Sequence, residues 1–257
     1  MTATNTTNSW EHTVELPVGL LDHAEGRTAT LRKMTGNDEA ILADPKLRNN
    51  AARLITNLLS SCLTSLGGAH PVDAKATRAL TSADRNFLLL ELRKLTFGTE
   101  LECSYKCPRC NHLNRVSENL DEIEIRRPEC AVANEITIKL EDGYREAETA
   151  WHHELSFVWP TGEDEEAAAS RREVNASRQR DALLARCLRR VGSMDPRKVS
   201  AAGIRVLAEL SMADRRRIQR TLDEHAPGPD LTRTITCEAC SEDFRTMLDM
   251  THFFPLA

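Results

Sequence analysis

The sequence has 257 residues, 40% of them hydrophobic and 28% charged, with 34 basic against 39 acidic side chains and a formal net charge of −5. Such a chain buries roughly 70–75% of its unfolded surface, so wholesale disorder is excluded and no disulfide scaffold is needed. The negative balance excludes a generic polyanion binder, an aromatic content of 4% argues against a base-stacking platform for single strands, and no apolar run reaches the ~18 residues of a membrane span.

Residues 1–12 are polar, with no basic n-region and no apolar h-region. They read as a mobile tail on a cytoplasmic chain, not as a secretory signal. Residues 14–20 and 28–34 alternate like strands around a turn signal at residues 23–26. Leu47, Ala51, Leu54, Ile55, Leu58, Cys62 and Leu66 then keep the spacing of one buried helix face, stopped by Gly67-Gly68. A further helix is capped by Thr81 or Ser82 and places Asp84 where the helix dipole favours an anion. It carries Phe87, Leu88, Leu90, Leu92 and Leu95 towards Gly98. Short alternating segments, 101–106 and 113–117, flank Cys107-Pro108-Arg109-Cys110.

The pattern then recurs. Residues 135–140 and 151–159 read as strands around Asp142-Gly143. Val174, Leu183, Leu184, Cys187, Leu188 and Val191 mark a helix stopped by Gly192, and another helix runs from Ser211 to near Pro227-Gly228-Pro229. Leu80-Thr-Ser-Ala-Asp84-Arg85 resembles Leu210-Ser-Met-Ala-Asp214-Arg215 at an offset of 130 residues, the same offset that separates the two C-x-x-C motifs. Leu58-Leu59-x-x-Cys62 matches Leu183-Leu184-x-x-Cys187 at 125, and Thr35-Gly36-Asn37-Asp38-Glu39 matches Thr161-Gly162-Glu163-Asp164-Glu165 at 126. Residues 15–20 resemble 135–140 at 120. Four matches in order predict an α+β fold made by tandem duplication of a hairpin–helix–helix–hairpin unit. The units span residues 13–127 and 133–251, and residues 252–257 form an apolar tail whose simplest use is to dock back on the core.

Of the eight cysteines, Cys107 and Cys110 form one C-x-x-C and Cys237 and Cys240 the other. Two thiolates two residues apart sit on one knuckle, and two knuckles supply the closed tetrahedral set of a structural Zn²⁺. One knuckle ends each unit, so the two halves of a zinc-ribbon-like site of four cysteines meet between the units. Cys103 is the rival ligand, but its counterpart in the second unit is Arg233. Cys62 and Cys187 fall in apolar helical patterns and read as core. Cys130 lies at the junction as a bystander.

Residues 171–220 hold 13 arginines and one lysine against five acidic residues, a net of +9. Solvated faces paired with the chain's own acids, 163–166 and 121–124, are the plainest account of them. An acidic protein or nucleic acid phosphates are the alternatives. The eight histidines are scattered, and no zincin, nucleophile-elbow, P-loop or dinucleotide motif occurs. A four-sulfur zinc leaves no open position for water. The expectation is a protein without enzymatic activity.

The run Leu80-Thr-Ser-Ala-Asp84-Arg85-Asn86-Phe87-Leu88-Leu89-Leu90-Glu91-Leu92-Arg93 is followed by Phe97-Gly98 and Lys106-Cys107-Pro108-Arg109-Cys110. Ahead of it stand Met34-Thr35-Gly36-Asn37-Asp38-Glu39 and the Leu-rich helix through Cys62. This order resembles the baseplate hub assembly protein family of T-even-type phages, also found in bacterial contractile injection systems. The resemblance covers residues 13–127 well and the second unit more weakly, where Arg216-Arg217 replaces Asn86-Phe87. It implies a hub assembly chaperone or hub component with hub, spike or other tail proteins as partners. It also implies partner binding through Asp84, Arg85, Asn86 and Phe87, with Asp214 and Arg215 as counterparts. The alternative from the knuckles and the basic stretch is a zinc-ribbon nucleic-acid-binding regulator.

Overall fold

The computed structural model describes residues 10–19, 27–47, 49–128, 135–170, 175–248 and 253–254. It is a mixed α/β structure with eight α-helices among the described residues and several small sheets. In the first half, β1 (Glu11–Glu15) and β2 (Thr28–Arg32) pair antiparallel and are followed by α1 (Gly36–Ala43) and α2 (Ala51–Cys62). β3 (Leu63–Leu66), α3 (Ala74–Ala79), α4 (Ser82–Phe97), β4 (Glu100–Lys106), β5 (Leu113–Asn119) and β6 (Ile125–Arg126) complete it. The second half repeats the order as β7 (Glu135–Ala147), β8 (Ala150–Val158), α5 (Gly162–Ala169), α6 (Ala176–Cys187), β9 (Leu188–Val191), α7 (Pro196–Glu209) and α8 (Met212–His225). It ends in β10 (Gly228–Pro229), β11 (Thr232–Thr236) and β12 (Asp243–Met247). The sheets run β1-β2-β3, β7-β8-β9, β4-β5 and β11-β12, and β6 pairs with β10 across the halves.

Local signals account for these elements. Thr35 and Thr161 each form a capping box with the aspartate three residues on, satisfying orphan amides at the starts of α1 and α5. Thr81 and Ser211 cap α4 and α8 by accepting the amides of Asp84 and Asp214. Helix α4 is buried on nearly every side, which is why its apolar residues do not keep to one stripe. Phe87, Leu88, Leu89 and Leu92 enter a first core with Leu31, Leu58 and Cys62. A second core gathers Leu155, Phe157, Cys187, Val206 and Leu207. The third is shared: Leu90, Leu101, Cys103, Tyr105 and Cys107 meet Leu231, Ile235, Cys237, Phe244 and Phe253.

Four expectations need correction. Each half carries four helices where two were expected, α1 and α3 being added in the first and α5 and α7 in the second. Leu66, and Leu188 and Val191 in the second half, lie on strands, because each helix runs without a break into an edge strand paired with β2 or β8. Leucines at three-residue spacing fit both states. Asp142-Gly143 is not the turn between β7 and β8. It is an irregularity within β7, and the strands reverse after Ala147. A left-handed glycine, φ +83 at Gly143, serves a bulge as well as a turn. Strand β1 starts at Glu11, inside the stretch expected to be tail. The expected turn at 23–26, and Leu20, Cys130, Val174 and His252, lie outside the described residues.

Candidate metal centre

Each C-x-x-C closes a β-ribbon. β4 and β5 pair in unbroken register from Glu100–Asn119 to Lys106–Leu113, and β11 pairs with β12 in the same way. The Asn111 amide bonds the Cys107 carbonyl (3.0 Å), and the Ser241 amide bonds that of Cys237 (2.8 Å). Asn111 and Ser241 sit left-handed at φ 62 and 55, which turns each knuckle so that both sulfurs point the same way. The knuckles then face each other. Cys107 Sγ lies 3.8 Å from Cys240 Sγ, and Cys110 Sγ 3.6 Å from Cys237 Sγ. All four sulfurs lie within 4.8 Å of one another. A tetrahedron with metal–sulfur bonds of about 2.3 Å has edges of about 3.8 Å, so the four thiols of Cys107, Cys110, Cys237 and Cys240 could hold one metal ion. Backbone amides lower all three of Cys110, Cys237 and Cys240; against burial, they and the Cys110 thiol bring Cys237 down to about 6, while the neighbouring thiols push Cys240 up to about 12 and Cys110 upward. Backbone donors that favour thiolate are what a cation site requires.

Ties outside the sulfurs fix one knuckle to the other. Asn114 Oδ1 accepts the Glu238 amide (2.9 Å), Arg109 meets Glu242 (2.7 Å), and Arg233 meets Glu118 (2.8 Å), which also accepts the Tyr105 hydroxyl. Cys103 is not in the cluster. It lies on β4 opposite Val116, buried in the shared core. Cys62 and Cys187 are core residues, and burial pushes both thiols up to about 12.

The six side chains expected at a partner surface are placed differently from the sulfurs. Asp84 is fully buried and accepts the amides of Val18 (2.8 Å) and Gly19 (3.0 Å). Asp214 does the same for Glu141, Asp142 and Gly143 at 2.7–3.1 Å. Each aspartate therefore locks a helix start to the opening hairpin of its own half. Phe87 is core, and Asn86 lines a cavity of about 330 Å³ with Phe157, Trp159, Leu184 and Leu222. Arg85, 1% exposed, donates to the Ala52 carbonyl (2.8 Å) and to Thr56 Oγ1 (3.0 Å) and reaches the Thr77 carbonyl (3.3 Å). Arg215 repeats this with Ser177, Asp181 and the Leu207 carbonyl.

Sequence reasoning missed the partners of Arg85. Helix α5 of the second half lies against α2, α3 and α4 of the first. Glu165 Oε2 stands 3.4 Å from Arg85 Nε, and Glu166 accepts from Thr56 Oγ1 and pairs with Arg53 at 4.0 Å. Of the acidic run 163–166, expected to meet the Arg-rich segment, only Asp164 does so among the described residues, through Arg186 at 2.9 Å. That segment otherwise pairs Arg190 with Glu135, Lys198 with Glu146, Arg215 with Asp181 and Arg217 with Glu141.

The family model described as T4 bacteriophage base plate protein matches residues 11–255, from β1 through both knuckles. The chain belongs to that family. No curated protein and no solved structure matches it. A base plate family member has a structural or assembly role among other baseplate and tail proteins. Among the described residues no helix is long and apolar enough to cross a membrane.

Proposed function

We propose that this base plate protein is a non-enzymatic hub assembly chaperone or hub component of a contractile phage tail or injection system. It works in the bacterial cytoplasm and binds hub, spike or other tail proteins. It is built from two tandem units, 13–127 and 133–251, clamped by one structural zinc ion on Cys107, Cys110, Cys237 and Cys240. The family match over residues 11–255 carries the reading, because it spans both units and both knuckles. The twice-repeated element order, the paired capping boxes and the paired Asp84 and Asp214 locks support the duplication.

Zinc would supply a fixed four-way crosslink and no reactive position. A rigid clamp suits a part that must present one geometry to its neighbours. The exposed arginines of the second unit, Arg178, Arg180, Arg216, Arg217 and Arg220, steer an acidic hub or spike surface into place. Asp84, Arg85, Phe87 and Asp214 act from inside by fixing the helix ends, and Asn86 is the member of the motif at a cavity mouth.

The test is a tagged pull-down from producing cells, nuclease-treated, with mass spectrometry. Recovery of hub, spike or tail components is expected. Recovery of nucleic acid alone before nuclease, and nothing after it, would replace this reading with the zinc-ribbon regulator.

A further inference from the structure

We propose that the chain associates head to tail with copies of itself, helix α1 of one copy seating in the groove between α6, α7 and α8 of the next. The inference rests on the tandem-unit reading, and its template is inside the molecule. Helix α5 seats on the first unit through a defined set of contacts. The Ser82 amide bonds the Pro160 carbonyl (2.8 Å), the Gly162 amide bonds the Leu80 carbonyl (3.0 Å), and Asn50 Nδ2 bonds the Glu166 carbonyl (3.1 Å). Gly162 lies flat on the Arg85 guanidinium, where a Cβ would come within 2.6 Å of Cζ. This contact is one-sided: the face of the second unit meets the groove of the first, and among the described residues the reverse contact is not made.

Among the described residues two complementary surfaces are therefore left uncovered. One is the α1 face. Gly36, Glu39 and Ala40 are exposed, whereas their counterparts Gly162 and Glu166 are buried. A Cβ on Gly36 would meet nothing within 4 Å, and its φ is not left-handed, so no contact within the chain calls for glycine there. An arginine beneath it would. The other surface is the groove of the second unit. Arg215 stands in it as Arg85 stands in the first, bonded at the corresponding positions: Ser177 and Asp181 of α6 and the Leu207 carbonyl of α7. Among the described residues no helix covers it, and Met212, at the place of Ser82, is 66% exposed.

The side chains that would meet also fit. In the filled contact Glu166 faces Thr56. In the open one the counterparts are Ala40 and Asp181. Each pair holds one carboxylate, and the Glu that would repel Asp181 is absent from α1. Glu39 occupies the place of Glu165 and is free to meet Arg215. A heterologous contact of this kind adds copies in one direction, into a ring or an open row.

Sedimentation velocity of the full zinc-loaded chain over a concentration series tests the inference. The expected result is a mass that rises past that of a dimer. Gly36→Leu and Glu39→Arg, both at exposed positions of the monomer, should each weaken association at least about tenfold while the melting temperature stays within a few degrees of the parent. Trp151→Ala, on the far hairpin, should leave it unchanged. A chain that stays monomeric at its highest soluble concentration overturns the proposal. So does association that survives both α1 variants, or that is lost only with Trp151→Ala. None of these outcomes alters zinc content or the pull-down, so the proposed function stands or falls separately.

Discussion

Arg85 and Glu165 belong to opposite halves of the chain, and their side chains meet 3.4 Å apart in a place where Arg85 is 1% exposed. A guanidinium that deep carries a desolvation cost, which burial expresses as a lowered pKa opposed by Glu165 and Glu166. Among the described residues the first half supplies it with neutral acceptors, Thr56 Oγ1 and two carbonyls. The compensating charge arrives with the second half.

Gly162→Ala tests that arrangement. The added methyl group must displace Arg85 or lift α5, at about 2–3 kcal/mol. Gly36→Ala, the counterpart change in open space, should be neutral or stabilise by about 0.5–1 kcal/mol through a less flexible unfolded chain. Urea unfolding of the two variants measures the difference. Equal effects would remove the one-sided contact.

Zinc content follows the sulfur geometry. Metal analysis of the purified chain should give one ion per molecule, and either Cys107→Ser or Cys237→Ser should remove it. Stability should fall by about 5 kcal/mol or more, a drop of roughly 10–20 °C in Tm. Cys103→Ser and Cys62→Ser should leave the metal in place. A Cys237→Ser chain with full metal content would show that the knuckles do not share an ion.

Asp214 holds three amides of the β7 bulge at once. Asp214→Ala strands those donors in a partly buried place and should cost about 3–4 kcal/mol. Asp214→Asn, which keeps one acceptor, should cost about half as much. Hydrogen exchange at Glu141, Asp142 and Gly143 should rise selectively in both.

Acid sensitivity should come in part from Asp38. Burial raises its carboxyl, but hydrogen bonds from Arg32, Ser61 and Thr35 outweigh that and hold it well below the usual carboxylate range. A lowered folded pKa stabilises the fold at every pH above the unfolded value, about 3.9, and the benefit is lost as pH falls through the folded value. The stability difference between wild type and Asp38→Asn should be flat above about pH 5 and shrink steadily below pH 4. A difference that grows on acidification would contradict the sign.

Much of this was legible in residue order. The offset shared by Asp84-Arg85 and Asp214-Arg215 with the C-x-x-C pairs located both knuckles, because a thiol pair on a ribbon is a local motif that tertiary context does not override. Helix starts at Thr81 and Ser211 were readable for the same reason. The strands after Cys62 and Cys187 were not, since leucine spacing cannot tell a helix from a buried edge strand over four residues. The burial of Asp84 and Asp214 was hidden because an aspartate in a first turn looks the same whether it faces water or three amides. The docking of α5 was hidden too. Its only trace was Gly162 beside four acids, and the position of Gly36 in the same motif reads as repetition rather than as packing.

The shared core has a consequence for how the chain is made. Cys107 and Cys237 lie 130 residues apart, and Phe253, fully buried between the knuckles, comes later still. At 5–20 residues per second a ribosome needs about 7–26 s to travel from the first thiol pair to the second. Through that interval Cys107 and Cys110 wait as half a site, backed only by the first half's share of that core, Leu90, Leu101 and Tyr105 among it. Closure of the sulfur tetrahedron is thus among the last events of maturation, and a truncated product is left with an open, oxidisable knuckle.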